Sequence, residues 1–120
     1  YQMAAELGEP NAMNNYGSML QTGEGGAEKN IKEACKYYKL AADEGNPNAM
    51  FNYGSILLNG EDSIPPNKSE AYKYIKMAAD RESIEAMDVL IQMLDNGDGI
   101  PVNHEEANVY RKLKEEILNQ

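Results

Sequence analysis

Gly45-Asn46-Pro47-Asn48-Ala49-Met50-Phe51-Asn52-Tyr53-Gly54-Ser55 decides how this chain is read, because the chain has already said it once. Thirty-seven positions earlier stands Gly8-Glu9-Pro10-Asn11-Ala12-Met13-Asn14-Asn15-Tyr16-Gly17-Ser18. The echo continues downstream: Glu33-Ala34 returns as Glu70-Ala71, Tyr37 as Tyr74, and Ala41-Ala42-Asp43 as Ala78-Ala79-Asp80. A third, more worn copy keeps Ala86-Met87, Leu94 and Gly97 at the same offset, then Glu106-Ala107 at an offset of 36. A one-residue deletion in a loop accounts for the slip. Self-similarity at such a period is the mark of a stacked-repeat architecture.

Each copy reads as two helices. Met13, Tyr16, Gly17 and Leu20 fall at i, i+3, i+4, i+7, one face of a helix. Pro10 and Pro47 stand at the first helical position, where proline loses no hydrogen bond. Asn46 and Ser83 precede that position as N-caps, with Glu9 as a weaker one. Gly23, Gly60 and Gly97 follow these helices as left-handed C-terminal residues. The second helix of every copy opens on a capping box, Asn30…Glu33, Asn67…Glu70 and Asn103…Glu106, in which the Glu reaches back to the cap N–H. The predicted helices are 10–22, 30–44, 47–59, 67–81, 83–95 and 103–118.

The buried stripe of the second helices is expected at Ala34, Tyr37, Leu40 and Ala41, with Ala71, Tyr74, Met77 and Ala78 as counterparts. Lys36, Lys39, Lys73 and Lys76 lie off it and should be solvated. Gly17 and Gly54 are mid-helix, where glycine costs about 1 kcal/mol relative to alanine. A cost incurred twice in register implies a helix crossing there that leaves no room for a side chain.

The N-terminal Tyr1–Gly8 aligns with Tyr38–Gly45, so the chain is read as starting inside the second helix of an earlier unit. The expected organisation is one repeat domain over 1–120: the end of a preceding repeat at 1–7, then repeats at 8–44, 45–82 and 83–120, a fragment of a longer protein. Lys114-Glu115-Glu116 replaces the Ala-Ala-Asp of the earlier copies, either as a cap where no further repeat stacks or by divergence.

Ala41–Gly54 as a continuous phrase, Asn59-Gly60-Glu61, and Asn67-Lys68-Ser69-Glu70-Ala71-Tyr72-Lys73-Tyr74 resemble the Sel1-like repeat family, a relative of the tetratricopeptide repeat. The resemblance spans essentially the whole chain. The third copy departs from it, with Leu90-Ile91 where the family has an aromatic or Leu followed by Gly. The lone Cys35 does not fit the secreted subgroup that carries a cysteine pair in each repeat. The resemblance implies an all-α, right-handed α/α superhelix of about three helix pairs plus a partial N-terminal helix. It also implies an adaptor that assembles other proteins, as members do in signalling, membrane-protein quality control and host–bacterium contacts.

Composition narrows the function classes. A net charge of −9 over 120 residues argues against nucleic acid and anionic membrane surfaces, whose phosphates repel such a chain. Mean hydropathy is −0.66 and no apolar run approaches the roughly 18 residues of a spanning helix, so direct membrane insertion is not expected. One cysteine and no signal-peptide pattern favour a cytoplasmic setting.

No catalytic, cofactor or metal site is expected. His104, the sole histidine, sits in a cap, and Cys35 lies in a non-adjacent repeat. One Cys and one His do not assemble a zinc site. Gly23–Gly26 lacks the Lys-Ser/Thr of a phosphate loop. Asp95–Gly99 breaks the alternation of a calcium loop and has no closing Glu. Asn67-Lys68-Ser69 is formally a glycosylation sequon but reads better as a cap.

First helices of such a stack line its inner wall. The inward register gives Asn11, Asn14, Ser18, Gln21 and Thr22; then Asn48, Phe51, Ser55, Leu58 and Asn59; then Glu85, Asp88, Gln92, Asp95 and Asn96. Phe51 and Leu58 replace polar residues of the neighbouring copies. Phe51 is read either as an aromatic anchor for a bound peptide or as packing against the next repeat. The expected partner is a protein or peptide along this groove. A structural spacer within a larger signalling protein, or a hydrolase, are the alternative readings.

Overall fold

The computed structural model describes residues 9–23, 30–60 and 64–120. The readings at 1–7 and at Glu24-Gly25-Gly26 lie outside them. Among the described residues there are six helices: α1 (Pro10–Thr22), α2 (Ile31–Asp43), α3 (Pro47–Asn59), α4 (Lys68–Asp80), α5 (Ile84–Asn96) and α6 (His104–Leu118). Each packs chiefly on its neighbours in sequence. The described residues form an all-α repeat solenoid of three helix pairs.

The start signals act locally. Glu9 caps α1 by accepting from the N–H groups of Asn11 and Ala12, at 3.1 and 2.7 Å. Asn46 and Ser83 cap α3 and α5 by accepting from the N–H of Ala49 and Ala86. Asn30, Asn67 and Asn103 accept from the N–H of Glu33, Glu70 and Glu106. The reciprocal half of the expected box is replaced. The N–H of each capping Asn donates instead to a carbonyl of the preceding helix, Leu20, Leu57 or Leu94, at 2.7, 2.6 and 2.8 Å. That bond ties the start of each second helix to the end of its first, and it frees the Glu carboxylates for other partners.

Two of the three terminal glycines behave as expected: Gly23 and Gly97 are left-handed. Gly60 has φ 72° but ψ 152°, an extended turn rather than a left-handed cap. A Cβ there would lie 2.8 Å from Pro66 Cδ, so the Pro65-Pro66 loop folds directly over it.

The mid-helix glycines mark the crossing inside each of the first two pairs. A Cβ on Gly17 would meet the Tyr38 ring at 2.9 Å, and one on Gly54 would meet Ile75 Cδ1 at 2.7 Å. Beside these crossings the tyrosines pack edge to face, Tyr16 on Tyr37 and Tyr53 on Tyr74, each at 4.8 Å between centroids. Small residues let the pairs stack: Ala34, Ala41, Ala49, Ala71, Ala78, Ala79, Ala86 and Ala107 are fully buried.

Two expectations for the second helices need correction. Leu40 is 45% exposed. The buried stripe of α2 runs Ala34, Tyr37, Tyr38, Ala41, Ala42, and Leu40 falls past its edge. Lys76 is only half-exposed because it pairs with Glu106 of the next unit at 3.1 Å; Lys36, Lys39 and Lys73 are exposed as expected.

Candidate functional site

The fifteen positions of the predicted inner wall lie on α1, α3 and α5, and none is buried. On α3, Asn48 is exposed and Phe51, Ser55 and Leu58 are half-buried, whereas Ala49, Met50, Ile56 and Leu57 between them are core. Phe51 and Leu58 each rest one face on the hydrophobic core cluster. On α5, Glu85 and Gln92 are exposed and Asp88 and Asp95 half-buried. On α1, Asn11 is exposed while Asn14, Ser18 and Gln21 are half-buried.

Several of these side chains also join the repeats to one another. Asn46 Nδ2 donates to Asn11 Oδ1 at 2.7 Å, and Asn52 Nδ2 donates to Asn14 Oδ1 at 3.0 Å. These two bonds set α1 and α3 side by side. One repeat on, the register of Asn14 and Asn52 is held by Phe51 and Val89, both half-buried against the core. The amide pair that joins the first two repeats is thus replaced, one repeat on, by two apolar side chains that rest on the core. Gln21 Oε1 accepts from the Tyr38 hydroxyl at 2.7 Å.

Sequence reasoning missed a second ladder on the second helices. The Tyr74 hydroxyl donates to Asp43 at 3.2 Å, and the Tyr110 hydroxyl donates to Asp80 at 2.7 Å. The signal was present, since Tyr and Asp recur in step, but it needs the partner helix to be read. Burial, then the neighbouring Asp43 carboxylate, pushes Tyr74 up to about 12. Burial and the bond to Asp80 push Tyr110 up as well. Glu106 accepts from both Tyr72 (2.9 Å) and Lys76 (3.1 Å). Burial alone would raise its pKa, but the bonds from Lys76 and Tyr72 outweigh burial and hold it below the usual value.

Two carboxylates at the acidic end of the strip, Asp88 and Asp95, are paired in place. Asp95 pairs with His104 Nδ1 at 2.9 Å and with Arg111. The His104 hydrogen bond, against slight desolvation and aided by Arg111, lowers its pKa. Asp88 pairs with Lys114, and Asp98 with Lys68. The carboxylates of the Asp95–Gly99 segment therefore face cationic side chains. Among the described residues no three His, Cys, Asp or Glu side chains group as metal ligands. Cys35 is buried in α2, whereas His104 is exposed at the start of α6. No helix among the described residues is long and apolar enough to cross a membrane.

Paired helices, repeating caps and glycine crossings define a helical-repeat protein. The sequence matches the Sel1 repeat over 10–46, 47–83 and 92–110, and the chain belongs to that family. It is similar to a solved Sel1 repeat protein from Oxalobacter formigenes, with 30% identity, a TM-score of 0.84, and coverage of 91% of this chain and 43% of that one. It also has the fold of c5321, a protective antigen of uropathogenic Escherichia coli with an SLR fold, at 24% identity and a TM-score of 0.88, covering 95% of this chain and 24% of that one. The chain thus spans less than half the length of either. No curated protein sequence matches it significantly.

Proposed function

We propose that this chain is a protein-interaction module that binds an extended segment of a partner protein along the α1–α3–α5 strip. The observation that carries the reading is the register. Three successive first helices present equivalent positions at the surface while the residues between them form the core. Sel1 repeat proteins generally serve as interaction scaffolds rather than catalysts. The strip supplies what an extended ligand requires: amides and hydroxyls for its main chain at Asn48 and Ser55, and apolar ground at Phe51 and Leu58. Phe51 is the anchor in this reading: one face seats in the core, and the other remains available to the ligand.

Selecting displayed peptides on the chain and mapping the best by NMR tests the proposal. The expected footprint covers Asn48, Phe51, Ser55 and Leu58, and Phe51→Ala weakens binding at least about tenfold, the loss of one aromatic anchor. Circular dichroism checks that the variant stays folded. A footprint confined to the α2 and α4 surface, or unchanged affinity in Phe51→Ala, would refute the reading.

A further inference from the structure

Charge is divided unevenly between the two kinds of helix. α1 and α3 carry no charged residue, and α5 carries Glu85, Asp88 and Asp95 but no Lys, Arg or His. All eleven Lys and Arg residues stand outside these three helices. The strip of first helices is therefore uncharged over two repeats and acidic over the third. Three basic side chains reach its acidic end from α6, and each is already held: Lys114 by Asp88, and Arg111 and His104 by Asp95. Glu85 is left exposed, with no ion-pair partner among the described residues.

The exposure of Glu85 belongs to its register. Its mates Asn11 and Asn48 are exposed as well, Asn48 with a repeat on either side of it. These two amides differ in one respect. Asn11 accepts from Asn46 Nδ2. One repeat on, Ser83 stands in the place of Asn46 and its hydroxyl caps α5 through the N–H of Ala86. The Asn48 side chain accordingly makes no hydrogen bond among the described residues. An unbonded amide, the half-buried Phe51 and an unanswered carboxylate thus stand on neighbouring turns of two successive first helices.

We propose that the segment bound on the α1–α3–α5 strip is a basic–apolar one, with an apolar side chain on Phe51 and Leu58 over α3 and, about three residues away, a Lys or Arg on Glu85 over α5. The spacing follows from the step between repeats. Packed helices stand about 8–10 Å apart, and an extended chain advances about 3.3 Å per residue. The inference rests on the strip being the binding surface and adds the chemistry of its occupant. An acidic segment would meet Glu85 with no free cation beside it, and like charges brought together across an interface suppress the wrong partner.

The displayed peptides selected on the chain supply the test. Their sequences should carry Lys or Arg about three residues from the large apolar side chain. Replacing that base by Glu in the tightest peptide should weaken binding to the natural chain at least about tenfold, measured by fluorescence anisotropy. Glu85→Lys should reverse the preference, and Glu85→Gln should bring the two peptides within about threefold of each other. Glu116→Lys makes the same change of net charge at an exposed position of α6 and should leave the preference as it is. Circular dichroism checks that all three variants stay folded. Peptides that occupy the strip by NMR but bind equally with Lys or Glu, or whose preference survives Glu85→Lys, overturn this proposal and leave the strip as the binding surface. An equal reversal by Glu116→Lys reduces the effect to net charge and overturns it too. Peptides with no footprint on the strip overturn both this proposal and the reading it rests on.

Discussion

Gly54 offers a measurement of how closely the paired helices cross. A methyl group there would stand 2.7 Å from Ile75 Cδ1, 2.8 Å from Cγ1 and 3.3 Å from the Ala71 carbonyl oxygen. On helix propensity alone, Gly54→Ala should stabilise the protein by about 1 kcal/mol. Against that stands the cost of overpacking, about 1–3 kcal/mol in a filled core. Ile75 is fully buried, as are Ala71, Ala78 and Ala79 around it, so its end has little space to retreat into. The balance predicts a net loss of about 0–2 kcal/mol. A range that touches zero does not decide the matter by itself, but a double-mutant cycle does. Ile75→Val deletes Cδ1, the closest atom, and alone should cost about 0.5–1.5 kcal/mol. In the Gly54→Ala background the same deletion also relieves the closest contact, leaving only Cγ1 at 2.8 Å to be accommodated, so its cost should shrink or vanish. The coupling is then about 1 kcal/mol in the favourable direction. Urea unfolding followed by circular dichroism reads all four proteins, with a constant m-value as the check that one transition is being compared. If Gly54→Ala gains the full 1 kcal/mol or so and the two changes add to within about 0.3 kcal/mol, the helices do not cross where we place them.

The inter-repeat bonds give further tests. Tyr110→Phe should cost about 1 kcal/mol in the same urea assay, because the hydroxyl bond is lost while exposed Asp80 regains water. Asn67→Ala and Asn103→Ala should each lower stability by about 1 kcal/mol through loss of a cap. Tyr74 should ionise near 12 in an ultraviolet absorbance titration. Its neutral form is favoured by folding, so that contribution is complete below pH 10.0 and is lost as pH rises towards 12. Glu106 has the opposite sign. With a folded pKa below 4.5, its contribution is present above pH 4.5 and disappears as pH falls through the folded value. The Tm difference between the natural chain and Glu106→Gln should therefore shrink on acidification; a pH-independent difference would contradict the pairing with Lys76 and Tyr72.

The fold was legible because its signals are local and repeated. Pro47 after Asn46, Asn67 before a helix, and Gly54 in mid-helix each have a cause within a few residues, and the register multiplies the evidence. What the sequence hid were side chains whose partner lies one repeat away. Glu106 looks like half of a capping box, yet its carboxylate accepts from Tyr72 and Lys76 of the preceding unit. Asn11 and Asn14 look like ligand-facing amides, yet each accepts a bond from the next first helix. A 3.6-residue count puts Leu40 in the core, but the buried stripe runs through Tyr37, Tyr38, Ala41 and Ala42 and leaves Leu40 past its edge. In each case short-range pattern names the residue type, and only the stacking of one unit on another decides which of its bonds is made.

The third repeat shows the same logic carried to a consequence. Replacing Gly54 by Ile91 in register would force α5 and α6 apart if the facing residue were still Ile75. The facing residue is instead Arg111, whose long side chain turns away to Asp95 and Asn108. Ile91, 9% exposed, packs in the core cluster. The two changes compensate, so the pair survives while its outer surface no longer matches that of the first two. This argument makes a distinction that can be measured. Arg111→Ile alone should restore an apolar floor but set two branched side chains against each other across α5 and α6. Overpacking of this kind costs about 1–3 kcal/mol. Adding Ile91→Gly should recover part of that loss by recreating the Gly54–Ile75 crossing. If Arg111→Ile is instead stabilising with Ile91 in place, positions 91 and 111 do not compensate each other, and Arg111 must be explained by its bonds to Asp95 and Asn108 alone.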